Sequence, residues 1–152
     1  MGFQTFEDIE AWQEAHALVR LIRQFARRAI EKKDWAWADQ ISRAALSIMA
    51  NIAEGNDAQT NAEFVVFLGY AKRSSAEVRS HLYYGFNENY LNQLEFDQTS
   101  EQTKKIAAQL AKLITYLRSH SRHHRNPSSS NQPTNNEQRN RTHVTPNTFT
   151  NS

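Results

Sequence analysis

Residues 40–55 read QISRAALSIMANIAEG, a run in which apolar side chains recur every three or four positions. That period places them on one face of an α-helix. Asp34 is a good N-cap residue before the run, and Gly55 is a residue typical of helix C-termini. The run therefore predicts a helix from Trp35 to Glu54. Its apolar face consists of Trp37, Ile41, Ala44, Ala45, Ile48 and Ile52.

The same spacing continues on both sides of this run and predicts three more helices. Thr5 is placed to cap the first of them, which runs from Phe6 to Lys33. The apolar face of this helix, with Leu18 and Phe25 at its edge, is predicted to consist of Ile9, Trp12, Ala15, Val19, Ile22, Ala26, Ala29 and Ile30. The segment Tyr90–Phe96 is expected to be a connector anchored by its apolar residues, so that Asp97 or Thr99 begins the last helix. The third and fourth helices are predicted over about residues 62–86 and 97–120.

Four amphipathic helices with short connections predict an all-α fold, an antiparallel up-down four-helix bundle. We expect the bundle to occupy residues 1–120. Residues 121–152 contain all three prolines of the chain and are rich in Asn, Ser, Thr and Gln. Such a segment buries too little apolar surface to offset its ordering entropy, so the sequence predicts a disordered C-terminal tail.

The composition excludes several classes of protein. The 152 residues contain no cysteine, which rules out disulfides, a thiolate nucleophile and a Cys-based zinc site. No apolar run approaches the ~20 residues that a membrane helix needs, and the N-terminal residues lack the pattern of a secretory signal. A soluble, cytoplasmic protein is expected. The formal net charge of +2 does not by itself indicate a nucleic-acid partner.

No constellation of residues resembles an active site. The chain has no glycine-rich phosphate loop and no Glu-x-x-His motif, and the helix that carries Ser47 offers no His or Lys as a base. Ser47 and Asn51 are instead predicted to form hydrogen bonds between helices, with Arg43 pairing an acidic partner. We expect no enzyme activity, no cofactor and no metal.

The run at residues 40–55 also resembles a family signature. The family is that of the 23S rRNA intervening-sequence protein, whose pattern is roughly Q-I-x-R-A-A-x-S-I-x-x-N-I-A-E-G. The opening FEDIEAW at residues 6–12 is similar to the usual start of the family. The resemblance covers about residues 3–118, and further matches lie at Glu63, Phe64, Phe67, Leu68, Ala71, Ser74 and Glu77.

The same family includes the accessory variability determinants of diversity-generating retroelements. The resemblance implies a homopentameric ring of four-helix bundles. In the retroelement branch it also implies binding to nucleic acid, RNA or DNA, and to a partner reverse transcriptase. The other branch is encoded inside insertions in rRNA genes.

Four basic residues of the first helix form what we call the basic ridge: His16, Arg20, Arg23 and Arg27. They fall within about 60° of one another on the helix and border its predicted apolar face. A row of guanidinium groups can follow the phosphates of a nucleic acid. The alternative is a solvated flank in which the arginine stems cover the edge of the core.

Two further basic sets are candidates for phosphate contact. Lys72 and Arg79 lie one heptad apart on the third helix, close to Tyr83, and the competing interpretation of this side is a subunit interface, where Tyr and Arg are also enriched. The second set follows the last helix, where His120, His123 and His124 are interleaved with arginines that disfavour a bound metal. Its basic members are Arg118, Arg122 and Arg125.

A second flank of small and apolar residues runs along the helix at 35–54, away from its main face. It consists of Trp35, Leu46, Met49, Ala50 and Ala53. A monomeric bundle needs one buried face per helix, so this flank predicts a subunit interface shared with Tyr83. The alternative is a wide stripe facing the core of the same chain.

The sequence therefore predicts a non-enzymatic, ring-forming accessory protein that binds nucleic acid. It would serve a retroelement reverse transcriptase or act in the manner of an rRNA intervening-sequence protein. The alternative is a protein-interaction scaffold without nucleic-acid affinity.

Overall fold

The computed structural model describes residues 3–120 and confirms the all-α fold. A 3-10 turn at Phe6–Asp8 precedes four helices, and each helix packs antiparallel against the one before it, while α4 closes on α1. Helices α1 and α3 lie diagonally across the bundle, as do α2 and α4. The four helices are α1 (Glu10–Glu31), α2 (Trp35–Asp57), α3 (Asn61–Asn87) and α4 (Gln93–Ser119).

Each helix buries one seam whose members alternate in steps of three and four, the spacing of knobs-into-holes packing. In α3 this seam runs without interruption from Asn61 to Gly85. Two buried hydroxyl groups donate within their own helix: Ser75 Oγ to the Ala71 carbonyl at 3.0 Å, and Thr103 Oγ1 to the Thr99 carbonyl at 2.7 Å. The buried seam of α1 is Ala11, Ala15, Leu18, Ile22, Phe25 and Ala29.

The seam of α1 differs from the predicted one. Leu18 and Phe25, expected at the edge of the face, are 0% and 1% exposed, while Trp12, Val19 and Ile30 are only half-buried. The apolar face is therefore rotated away from the basic ridge. The ridge lies on the outer side of α1, and half-buried apolar side chains separate it from the core.

The predicted start of the first helix was wrong by one turn. Thr5 caps the 3-10 turn, where its backbone N–H donates to Asp8 Oδ2 at 3.2 Å. Ile9 is extended and almost fully buried, and α1 begins only after it. Burial of this side chain in the core interrupts the helical hydrogen bonding that the sequence pattern predicts as continuous.

Gly55 does not end its helix, contrary to the prediction, because α2 continues to Asp57. Its φ angle is not positive, so the position does not require the conformational freedom of glycine. The requirement is space: a Cβ on Gly55 would lie 2.6 Å from Phe64 Cδ2 and 2.9 Å from Phe67 Cβ. The absence of a side chain lets the start of α3 pack directly on α2.

The predicted connector before α4 was also placed wrongly. Asn92 and Glu95 form a reciprocal capping box, in which the Glu95 N–H donates to Asn92 Oδ1 and the Asn92 N–H donates to Glu95 Oε2, both at 2.9 Å. The helix therefore begins at Gln93, four residues before Asp97. Leu94, predicted as an anchor, is 64% exposed.

The α1–α2 and α3–α4 turns meet at one end of the bundle around Tyr90. Its hydroxyl donates to Asp34 Oδ2 at 2.8 Å, and Asp34 Oδ1 accepts from the Trp37 N–H at 3.1 Å. Arg28 Nη1 donates to the Tyr90 carbonyl at 3.0 Å. Burial, followed by the hydrogen bond to Asp34, raises the pKa of Tyr90 from 10.0 to about 12.

We expect the Tyr90→Phe variant to be less stable than the wild type at neutral pH and to approach the stability of the wild type as the pH rises. At neutral pH the variant lacks one hydrogen bond, a cost of about 0.5–1.5 kcal/mol. The folded protein holds the Tyr90 proton more tightly than the unfolded chain does. The contribution of Tyr90 is therefore complete below pH 10 and is lost as pH rises to about 12.

The measurement is the free energy of unfolding in urea for both proteins from neutral pH to pH about 11. The difference between them should shrink with rising pH. A constant difference would contradict the assigned pKa of Tyr90. Ionisations of groups that do not interact with Tyr90 act on both proteins and cancel in the comparison.

The predicted tail at residues 121–152 lies outside the described residues. The domain boundary at residue 120 therefore stays a prediction.

Candidate nucleic-acid interface

The basic ridge lies on the outer surface of α1. All four of its side chains are exposed. His16 stacks on Trp12 with ring centroids 5.3 Å apart, which fixes the imidazole against the helix. The arginines follow at spacings of three and four, so that successive guanidinium groups advance about 4.5 to 6 Å along the helix axis. The structure thus presents the ridge as one continuous line.

The arginines of the ridge form no ion pair within residues 3–120, whereas their neighbour Arg28 does. Arg28 forms a two-pronged pair with Glu95, in which Nη1 donates to Oε2 at 2.8 Å and Nη2 donates to Oε1 at 3.0 Å. This hydrogen bonding lowers the pKa of Glu95 and raises that of Arg28. Arg27 and Arg28 are adjacent in sequence, yet only Arg28 is neutralised.

A groove of about 250 Å³ separates the ridge from the start of α2. Asp39, the acidic residue in the groove, is held by Arg43, whose Nε lies 2.9 Å from Asp39 Oδ2. The groove is therefore cationic at its α1 wall. The side chains that matter for its chemistry are Arg23, Arg27, Ile30, Trp35, Asp39 and Ser42.

The second predicted basic pair lies on a different face, because α3 is diagonal to α1. Lys72 is exposed, and Arg79 lines a groove of about 270 Å³ between α3 and α4. Tyr83 lines the same groove and meets the Phe96 ring edge-on at 5.0 Å. The groove also contains Asp97, Glu101 and Lys104, and Lys104 Nζ pairs with Glu101 Oε1 at 2.6 Å. Asp97 has no basic partner within residues 3–120, so it makes this groove a poorer phosphate site than the basic ridge.

Arg118 is exposed near the end of α4, beside the N-terminus of α3. It is distant in the fold from the α1–α2 turn that bounds the groove beside the ridge. The other two members of its predicted basic set, Arg122 and Arg125, lie outside the described residues.

The flank predicted as a subunit interface lies on the outer side of α2. Trp35 is 62% exposed and Leu46 is 47% exposed, which rejects the alternative of a stripe facing the core for these two. Ala50 is also exposed, while Met49 and Ala53 are half-buried. Apolar surface is therefore present where a partner would have to cover it.

The polar side of α2 forms one of the two hydrogen bonds between helices that its sequence predicts: Ser74 Oγ on α3 donates to Ser47 Oγ at 2.9 Å. The prediction for Asn51 was wrong, because its Nδ2 donates within α2 to the Ser47 carbonyl, at 2.8 Å. Arg43 pairs within its own helix, with Asp39. Ser47 is thus engaged in helix packing, bonded to Ser74 and Asn51.

Metal-binding clusters and membrane-spanning helices are both absent from the part of the chain that the structure describes. Between Phe3 and His120, no three His, Asp or Glu residues come together in a way that could hold a metal ion. Within the same range, no helix has both the length and the apolar character needed to cross a bilayer.

The sequence did not reveal that Trp35 and the ridge share a groove. Trp35 lies on another helix, and the chain reverses between them at Lys33, which has a φ angle of 66°. The available signal was an aromatic residue directly after the N-cap Asp34, outside the periodic apolar face of α2.

Comparisons with known proteins agree with this fold. A family model described as 23S rRNA-intervening sequence protein matches residues 7–112. A solved structure from Bacteroides thetaiotaomicron, described as a protein with unknown function from the S23 ribosomal protein family, superposes with a TM-score of 0.65. It is 23% identical, and the match covers 68% of this chain and 97% of that chain. No curated protein matches. The chain belongs to the family of the 23S rRNA-intervening sequence protein.

Proposed function

We propose that this protein is a non-enzymatic accessory factor that binds nucleic acid through the basic ridge and assembles into a ring. The observation that carries the proposal is the line of exposed arginines without carboxylate partners in residues 3–120. The family description, which refers to sequences within 23S rRNA, supports RNA as the first polymer to test.

Unpaired guanidinium groups on a helix surface suit phosphates for two reasons. Each group presents several N–H donors in a planar fork that matches phosphate oxygens. Each neutralised phosphate also releases about one condensed counterion, which favours binding at low salt. Arg28 can neither contact nor neutralise a phosphate in this way, because its N–H donors are already bound to Glu95 and to the Tyr90 carbonyl.

A ring would multiply this weak single contact. Every subunit repeats the ridge, so a second contact on the same polymer becomes intramolecular and the combined affinity rises. This accounts for binding by a protein whose formal net charge is only +2. The proposed interface is the outer flank of α2 around Leu46 and Met49.

Replacing Arg20, Arg23 and Arg27 together with Gln should weaken binding to structured RNA and flatten its salt dependence. If each arginine contacts one phosphate, the slope of log K against log salt becomes shallower by about 2.7 per subunit. Fluorescence anisotropy across a salt titration, starting near 50 mM, measures both quantities. The fold should be unaffected, because all three side chains are exposed.

The matched control removes the same charge from other faces, by replacing Arg73, Lys104 and Lys112 with Gln. These exposed residues lie on α3 and α4, and the control should retain the slope of the wild type. Equal losses of affinity and of salt slope in the two variants would show that net charge explains the effect, and not the basic ridge. If the wild-type protein binds neither RNA nor duplex DNA at about 50 mM salt, where non-specific binding is strong, the proposal fails.

A protein-interaction scaffold is the second candidate, favoured by exposed apolar side chains on the outer side of α3. Val66 is 51% exposed, Tyr70 is 44% exposed and Tyr84 is 49% exposed. Tyrosines of this kind are enriched in protein interfaces. A scaffold would bind a protein partner, and that binding would survive the triple arginine substitution.

The retroelement branch of the family would make a reverse transcriptase that partner. A reverse-transcriptase gene beside a pair of near-identical repeats, next to the gene for this chain, would favour that assignment. Co-purification of the two proteins, repeated with the triple arginine variant, separates direct contact from bridging by nucleic acid.

A further inference from the structure

Trp35 is the first residue of α2 and has an unusual environment for a tryptophan. It is 62% exposed, and it does not belong to the hydrophobic core or to the side chains packed against it. Within residues 3–120 its ring packs on no other aromatic ring, whereas the rings of Trp12 and Trp37 both do. A flat apolar ring is therefore presented to whatever enters the groove beside it.

The opposite wall of that groove carries Arg23 and Arg27 of the basic ridge. Asp39 does not cancel their charge, because Arg43 already pairs with it at 2.9 Å. Ser42 adds a hydroxyl that can donate or accept a hydrogen bond. An aromatic face, two free guanidinium groups and a small polar group thus converge in a space of about 250 Å³.

This combination is the one that binds unpaired nucleotides. A base stacks on an aromatic ring while cationic side chains follow the backbone, and a paired base in a duplex is not available for such stacking.

We propose that the groove between α1 and α2 takes a single-stranded segment of nucleic acid, with one base stacked on Trp35 and the flanking phosphates on Arg23 and Arg27. This inference rests on the proposed function and narrows it to unpaired strands. It also assigns Trp35 to nucleic acid, not to the subunit interface, which then consists of the flank from Leu46 to Ala53.

The test compares three probes: a short single-stranded RNA, the same strand with abasic sites, and a duplex of equal length. The wild-type protein should bind the single strand best. Trp35→Ala should weaken that binding by about 5- to 140-fold, the range for loss of one stacked base. Its salt slope should not change, because no charge is removed. Trp35→Phe should retain most of the affinity.

The abasic strand provides the decisive comparison and needs no variant. Wild type should lose a similar factor when the bases are removed, and Trp35→Ala should not distinguish the two strands. The aromatic control is Tyr70→Ala, at a residue of α3 that is 44% exposed, and this variant should bind every probe as the wild type does. Light scattering should give the same mass for Trp35→Ala and the wild type.

Three results would overturn the inference while leaving the proposed function intact. They are equal wild-type affinity for the intact and abasic strands, no effect of Trp35→Ala on single-strand binding, and a fall in the mass of Trp35→Ala, which would make Trp35 a subunit contact. Absence of binding to all probes near 50 mM salt would overturn both proposals.

Discussion

Gly85→Ala is expected to destabilise this protein by about 1–3 kcal/mol, the range for overpacking a well-filled core. A Cβ added to Gly85 would lie 2.3 Å from Trp37 Cζ2 and 2.9 Å from Leu91 Cδ2. The melting temperature should fall by several degrees, which a thermal scan followed by circular dichroism measures directly.

The indole of Trp37 cannot move aside to accept the added carbon. It is 5% exposed, and its Nε1–H donates to the His81 carbonyl on α3 at 2.9 Å. Its ring also packs on the Tyr90 ring, with centroids 4.9 Å apart. The added Cβ would therefore clash with groups that several contacts hold in place. Only a separation of α2 from α3 would remove the clash.

The direction of the effect is itself diagnostic, because glycine is a poor helix former. In a helix interior with free space, Gly→Ala stabilises by up to about 1 kcal/mol. Gly69 provides that control in the same helix, since a Cβ added there would have no neighbouring atom within 4 Å. Gly69→Ala should raise the melting temperature. If Gly85→Ala also raised it, the close packing of Trp37 on α3 would be wrong.

Replacing Leu46 and Met49 together with Glu should convert the proposed ring into monomers. Both lie on the outer flank of α2, where Leu46 is 47% exposed and Met49 is half-buried. Closing a ring would bury two carboxylates per subunit in an apolar contact, and an unpaired buried charge costs several kcal/mol. Multi-angle light scattering should show the mass of one chain, compared with several chains for the wild type.

Leu94→Glu is the matched control for that experiment. Leu94 is the most exposed large apolar side chain among those that the structure describes, at 64%, and it lies on α4, away from the flank. Its substitution should leave the mass unchanged. A wild-type protein that is already monomeric at micromolar concentration would refute the ring and this interface. Helicity measured on the double variant separates loss of assembly from loss of folding.

The helices themselves followed from the sequence because their signal is local. The three-and-four spacing of apolar residues predicts each helix, and Asp34 was correctly predicted as an N-cap, with its Oδ1 accepting from the Trp37 N–H. The ends were less predictable. Glycine is typical of helix ends, but Gly55 lies inside α2. Ile9 fits the helical spacing of α1, but its backbone is extended and the helix begins after it. In both cases packing against a distant residue overrides the local preference.

In the candidate site, too, some features depend on the local sequence and others on contacts between helices. The alignment of His16, Arg20, Arg23 and Arg27 on one line depends only on the helical period, so the sequence alone determined it. Which arginine of α1 forms an ion pair did not follow from the helical period. Arg27 and Arg28 are neighbours in sequence, and only contact with Glu95 on α4 neutralises one of them.

The groove beside the ridge was decided by tertiary structure alone. The reversal of the chain between α1 and α2 brings Trp35 against Arg23 and Arg27, and Arg43 leaves Asp39 unable to cancel their charge. Periodicity specifies which side of a helix a residue occupies. It carries no information about which side of another helix it will meet, because that depends on how the buried seams pack together.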